Sequence, residues 1–227
     1  GTHCQDGWGG ASCDTCADSY FAVGSDCAAC PGSVPTLVTN GSAEGDSLSG
    51  WTITAEGGNG WTQNGASCDA SGGSFITSYA TGSRYQVIDL LAAGYTEEEL
   101  DSVPPITVGE YYKSFFTAGD PYTLSIELRD VSGNVMQSYS QGSIASTSSW
   151  TWAGDTFTDY GAGVRSIYIA DSGSDVEFWA GHYGTMMDAS QIRIALEASN
   201  ACNGNGVCSA GDSGDGECAC DAGFSGT

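Results

Sequence analysis

The stretch Tyr122-Thr-Leu-Ser-Ile-Glu-Leu-Arg-Asp130 constrains the fold most, because it alternates without a break. Tyr122, Leu124, Ile126 and Leu128 share one face and Thr123, Ser125, Glu127 and Arg129 the other, which is the period of a half-buried strand. Ser132-Gly133-Asn134 then turns the chain into Val135-Met136, predicting a hairpin. Ile192, Ile194 and Leu196 alternate against Arg193 and Ala195. With 34 glycines, five prolines and frequent Ser, Thr, Asn and Asp between apolar runs, such strands fit an all-β antiparallel sandwich. One short helix is expected at Glu97–Asp101, where Thr96 and Glu99 stand at capping-box spacing.

Residues 160–184, YGAGVRSIYIADSGSDVEFWAGHYG, hold a run rich in aromatic and β-branched residues. Val164, Ile167, Tyr168 and Ile169 read as a strand, Asp171-Ser172-Gly173-Ser174 as a chain reversal, and Val176–Trp179 as a second strand. Within a strand Phe178 and Trp179 would face opposite ways, one to the core and one outward. Arg165 is expected to pair with a carboxylate such as Asp159, and His182 to bond within its loop.

Ten cysteines are distributed unevenly. Cys4, Cys13, Cys16, Cys27 and Cys30 open the chain, Cys202, Cys208, Cys218 and Cys220 close it, and Cys68 lies between. This is the pattern of disulfide-stapled modules around a body that folds without them. The C-x-x-C pairs are also a zinc spacing, but the surrounding glycine and aromatic punctuation favours disulfides. Cys68 is either a buried thiol or a partner for Cys13. The sequon Asn40-Gly41-Ser42 makes Asn40 a candidate glycosylation site. Together these predict an extracellular or cell-surface location. The formal net charge of -23 argues against nucleic acid and anionic membrane partners. No run is apolar and long enough to cross a bilayer. The acidity suggests no cofactor other than Ca²⁺ association, and no EF-hand-like loop is present. Nor does a nucleophile–base set or a metal-protease or phosphate-loop motif occur, so an enzyme is not expected.

The form C-x-x-G-aromatic-x-G-x-x-C at Cys4–Cys13, followed by Cys16-Ala-Asp-Ser-Tyr20-Phe21 and Cys27-Ala-Ala-Cys30, resembles the second half of a laminin-type EGF-like module. The tail from Cys202 to Thr227 also looks EGF-like. That resemblance implies pairs Cys4–Cys13, Cys16–Cys27 and Cys202–Cys218, with Cys208 reaching back to Cys30. It divides the chain into an EGF-like half-module at 1–32, a sandwich at 33–199 and an incomplete EGF-like segment at 200–227. Cys220-Asp-Ala-Gly223-Phe224 also superposes on Cys4-Gln-Asp-Gly7-Trp8, and Cys220 could pair with a following unit, as in a repeat.

The central part resembles the F-box-associated domain, the sugar-recognising half of F-box proteins, which are cytosolic ubiquitin-ligase adaptors. The resemblance is carried by Gly50-Trp51, Gly57-Gly58-Asn59-Gly60-Trp61, Phe75-Ile-Thr-Ser-Tyr79, Gln86 through Tyr95, Glu98-Glu-Leu-Asp101, Pro105-Ile-Thr-Val108, Tyr111-Tyr112, Thr156 through Gly161, Gly163-Val-Arg165 and Phe178-Trp179. It implies a ten-stranded jelly-roll-like sandwich of the galactose-binding type. It also implies a sugar site in which Tyr79 stacks on the ligand and Phe178 and Trp179 form the wall. The family's sugar-bonding lysine is replaced by Ala180, and Asn64 is the available asparagine. Two functions are therefore expected. The first is a non-catalytic structural or adhesive repeat of a larger EGF-containing assembly (fibre, matrix or flagellar hair), with neighbouring copies as partners. The alternative is a secreted lectin-like module that binds N-glycan core sugars.

Overall fold

The computed structural model describes residues 36–43, 48–68, 73–116 and 118–194 with their side chains. Towards the termini it describes the backbone of short strands only: β1 (Trp8–Gly9), β2 (Thr15–Cys16), β3 (Tyr20–Val23) and β4 (Asp26–Ala29), then β16 (Gly206–Cys208) and β17 (Cys218–Cys220). These pair antiparallel as β1–β2, β3–β4 and β16–β17. The chain divides into two compact units, Cys30–Ile194 and the combined termini Gly1–Ala29 with Ala195–Thr227. The disulfide pairings expected for Cys4, Cys13, Cys16, Cys27, Cys30, Cys202, Cys208, Cys218 and Cys220 lie outside the described residues.

The larger unit is an antiparallel β-sandwich. Its strands are β5 (Thr52–Ala55), β6 (Thr62–Asn64), β7 (Ser74–Ile76), β8 (Gly82–Asp89), β9 (Ile106–Ser114), β10 (Pro121–Arg129), β11 (Val135–Ser140), β12 (Ile144–Ala145), β13 (Thr151–Phe157), β14 (Ser166–Gly173) and β15 (Thr185–Ile194). Among the described residues one sheet runs β11-β10-β14-β8-β5, with β12 also on β10, and the other β13-β9-β15-β7-β6. Ten strands are thus present as expected, plus the two-residue β12.

The alternation at Tyr122–Leu128 is borne out: β10 has every second residue buried and its four apolar side chains at 0% exposure. They share one core cluster with Ile106, Val108, Phe157 and Ile192 of the other sheet, where β-branched and aromatic residues fill the layer between the two pleated surfaces. The β10–β11 turn is held by Asp130, whose Oδ1 accepts from Ser132 N at 2.8 Å and Asn134 N at 2.9 Å. The helix α1 (Glu97–Asp101) forms with the expected capping box: Thr96 Oγ1 accepts from Glu99 N, and Glu99 Oε2 accepts from Thr96 N at 2.8 Å. Leu100 anchors it in the core at 0% exposure.

Residues 171–179 differ from expectation. Asp171, Ser172 and Gly173 do not reverse the chain; they are the last residues of β14, paired on one side with β8 and on the other with β10. Asp171 is tolerated there because Arg84 donates Nε to both its oxygens, at 3.1 and 2.8 Å. Nor is there a strand at 176–179; that segment is a loop. Arg165 pairs with Asp101 at 2.8 Å and Glu97 at 3.2 Å, tying α1 to the start of β14 instead of reaching Asp159.

Between the sheets lies a polar cluster. Glu110 of β9 is wholly buried; it accepts from Tyr122 Oη at 2.8 Å and from Ser190 Oγ at 2.7 Å, with Arg84 Nη2 3.8 Å away. Ser190 can turn inward because β15 bulges between Asp188 and Gln191, with Ala189 at φ +55°. The Arg84 guanidinium lies 3.8 Å over Trp51 and 4.1 Å over Phe75. Two acids face one arginine, so burying both as carboxylates would leave a net negative charge in the core. Burial, and then the Asp171 charge, push Glu110 up to about 8 against the pull of Arg84. Neutral Glu110 leaves Arg84 and Asp171 as a balanced pair.

Candidate functional site

The loop between β14 and β15, residues 174–184, carries Phe178 and Trp179 on a built frame. Asp175 shapes it: Oδ1 accepts from Glu177 N and Oδ2 from Trp179 N, both at 2.8 Å, so one carboxylate closes the turn from within. Asp120 Oδ1 accepts from Val176 N at 3.1 Å. The loop is also fastened to the segment after β7. Asp175 N donates to Ser78 O at 3.0 Å, Gly184 N to Thr77 O at 3.2 Å, and Ser78 Oγ to Gly181 O at 2.5 Å. Phe178 takes a left-handed backbone, φ +58°, a conformation uncommon for a bulky residue and one that clusters at functional loops.

Both aromatics are therefore outside. Phe178 is 66% exposed and Trp179 56%, where a strand would have hidden one of them. Large aromatics leave water when they can, so an adjacent exposed pair on a fastened loop marks a contact surface. Tyr79 joins them: its ring meets Phe178 edge-on, with centroids 5.0 Å apart at 73°. Tyr79 lies against Gly58, where a Cβ would come within 2.7 Å of its ring, and Asn59 N donates to Ser78 Oγ at 3.0 Å. Asn64 is not part of this group. It sits opposite Ser74 at the far end of β7, with its Oδ1 taken by Ala66 N at 2.8 Å. Ala180 is in the loop beside Trp179 and adds no polar group.

Beyond Trp179 lies a cleft of about 300 Å³ lined by Phe116, Asp120, Asp175, Glu177, Trp179 and Tyr183. Tyr183 meets Trp179 edge-on at 6.3 Å and stacks on Phe116 at 5.7 Å. Burial raises the Asp120 carboxyl, and the nearby Asp175 charge adds to this, against bonds from Val176 and Ser114. Sequence reasoning missed Phe116, Asp120 and the site role of Tyr183, since no local pattern brings residues 116, 120 and 183 together. His182 Nε2 is buried and makes no hydrogen bond within its loop.

The other expected positions fall elsewhere. The Asn40 amide donates to Ser49 O at 3.2 Å and Ser49 Oγ at 3.3 Å, in a turn where Asn40 has φ +53°. Cys68 is half-buried, and its backbone N donates to Asp188 Oδ2 at 2.6 Å. Among the described residues no group of three or more His, Cys, Asp or Glu side chains could hold a metal ion.

Residues 34–194 match the model of the F-box associated region. The chain belongs to this family. The F-box associated domain here is 33% identical over 174 residues to F-box only protein 6 of Bos taurus, covering 70% of this chain and 64% of that protein. It is also 33% identical over 174 residues to F-box only protein 2 of Bos taurus, covering 70% and 58%. The chain thus spans about three-fifths of the length of these relatives. Among solved structures, the enzymatically active domain of bacteriophage CBA120 tailspike protein 4 superposes with a TM-score of 0.53 at 17% identity, over 70% of this chain and 21% of that one. At that identity it shows the sandwich fold alone.

These relatives overturn the extracellular and cell-surface placement: both are F-box only proteins. The cysteine clusters and the sequon pointed outward because both are correlates of secretion, and neither measures it. The reading as a structural repeat with neighbouring copies finds no support in the family or in these relatives.

Proposed function

We propose that the F-box associated domain is a non-catalytic sugar-binding module that takes the core N-acetylglucosamine units of N-glycans against Tyr79, Phe178 and Trp179. One observation carries this reading. Phe178 and Trp179 stand exposed on a loop that Asp175 and Ser78 hold in place, with Tyr79 packed edge-on beside them. A pyranose presents an apolar C–H face that an aromatic platform covers, while polar groups around it fix the hydroxyls. Here Asn59 and Glu177 are exposed on the neighbouring turns. The platform is preorganised, so binding spends little on ordering the loop. Membership of the F-box associated family and the sandwich fold support the same reading.

Calorimetric titration with di-N-acetylchitobiose, repeated on Trp179→Ala, tests it. Binding that is lost in the variant, while its circular dichroism and melting stay unchanged, is the expected result. Equal affinity in both proteins would move the site away from this loop.

For the termini, we propose that residues 1–32 and 200–227 are EGF-like half-modules around a sandwich at 33–199, with Cys208 bonded to Cys30. Peptide mapping under non-reducing conditions tests this, and any other partner for Cys208 overturns it.

A further inference from the structure

The cleft beyond Trp179 has a chemistry of its own. Three of its six lining residues are aromatic (Phe116, Trp179, Tyr183) and three are acidic (Asp120, Asp175, Glu177); none is basic. No ion pair among the described residues involves any of these carboxylates. Asp120 and Asp175 are 2% and 7% exposed, so water screens their charge poorly. Both spend carboxylate oxygens on loop N–H groups, which fixes the two side chains in place. Aromatic faces add their own negative potential.

Such a cleft attracts a cation. A bare metal ion does not fit, since the acids do not gather into a group that could hold one. A diffuse organic cation suits charges spread around aromatic walls. At about 300 Å³ the space lies at the small end of ligand pockets, which is room for a single sugar ring. Ala180 adds no charge of its own to oppose a cation.

We propose that, beside the N-acetylated units, this cleft also admits a sugar that carries a protonated amine, a hexosamine lacking its N-acetyl group, and holds it more tightly. The inference rests on the sugar-binding function above and specifies which sugars are preferred. The ring lies against Trp179, and the ammonium enters the field of Asp120, Asp175 and Glu177.

The test is calorimetry on the full chain at pH 6 with two disaccharides, di-N-acetylchitobiose and its fully deacetylated form. The deacetylated sugar is expected to bind about tenfold more tightly, the effect of one desolvated cation–π and charge contact. That advantage should shrink in 0.5 M NaCl. It should also narrow about fivefold in Glu177→Gln, whose exposed side chain makes no bond that holds the loop. Equal affinities, or a preference for the acetylated sugar, would overturn the inference and leave sugar binding standing. If neither disaccharide binds, the sugar-binding function itself fails, and the amine preference with it.

Discussion

Replacing Glu110 with glutamine probes the buried cluster that joins the two sheets. Glu110 titrates near 8 in the fold, raised first by burial and then by Asp171, from an ordinary value of 4.5. A carboxyl whose folded value is raised binds its proton more tightly when folded. Its contribution is therefore complete below about pH 4.5 and is lost as the pH climbs towards 8. Each pH unit in that window is worth at most about 1.4 kcal/mol, so the loss across it is on the order of 4 kcal/mol. Asp171 is raised as well, mainly by burial, and acts in the same direction. Glutamine has the shape of the neutral acid, can still accept from Tyr122 Oη, and does not titrate. At pH 5 the Glu110→Gln protein should match the wild type within about 1 kcal/mol, while at pH 8 it should be more stable by several kcal/mol. Urea unfolding followed by circular dichroism at both pH values measures the difference. Because both proteins share every other acid, general charge repulsion cancels. A constant gap between the two stability curves from pH 5 to 8 would mean that Glu110 is ionised in the native state beside Arg84, and the reasoning would fail.

Other substitutions separate the site from the scaffold. Gly58→Ala places a methyl 2.7 Å from the Tyr79 ring at a residue with φ +70°; it should cost about 1 kcal/mol and weaken chitobiose binding by displacing Tyr79, as calorimetry would show. Trp179→Ala removes a mostly exposed side chain, so its thermal unfolding should stay within about 0.5 kcal/mol of wild type. Thr96→Ala removes the capping box of α1 and should cost about 1 kcal/mol in urea unfolding, with sugar affinity unchanged. Gly109→Ala should be the most damaging of this group. Gly109 faces Gly154 across β9 and β13, and a Cβ there would overlap the Ala153 carbonyl and sit 2.5 Å from Trp152 Cζ2; a loss of about 1–3 kcal/mol in thermal unfolding is expected.

What the sequence disclosed followed the range of the interactions. The β10 alternation, the Asp130 turn and the Thr96–Glu99 box are settled within a few residues of themselves and could be read directly. The Tyr79 and Phe178–Trp179 positions were recognisable from family likeness, yet their setting was not. Val176–Trp179 has strand-forming residues, and what makes it a loop is the hydrogen bonding of Asp175 to Glu177 N and Trp179 N. Asp171 carries a turn-former's local signal, overridden by Arg84, 87 residues earlier. One clue to the buried cluster was available: in the alternating run of β8, Gly82, Arg84, Gln86 and Ile88 share the buried face. An arginine on a core face, in a chain with so few cations, must find a buried acid. Which acid it finds depends on Glu110 and Asp171 meeting across two sheets, and no local pattern encodes that.

The order of the strands also dictates when this domain can exist at all. In each sheet a central position is taken by a late strand: β14 lies between β10 and β8, and β15 between β9 and β7. Until residue 194 has left the ribosome, β7 and β9 have no strand between them, and until residue 173 has left, β8 and β10 face the same gap. Such edges recruit other chains, and synthesis at roughly 5–20 residues per second leaves them open for seconds. Folding must therefore be a late, nearly all-at-once event, completed by the segment that carries both closing strands and the aromatic loop between them. A stalled or truncated product would lose more than its last strands. It would hold only two- and three-stranded pieces with open edges, and on this account be a natural client for chaperones until the final stretch is made.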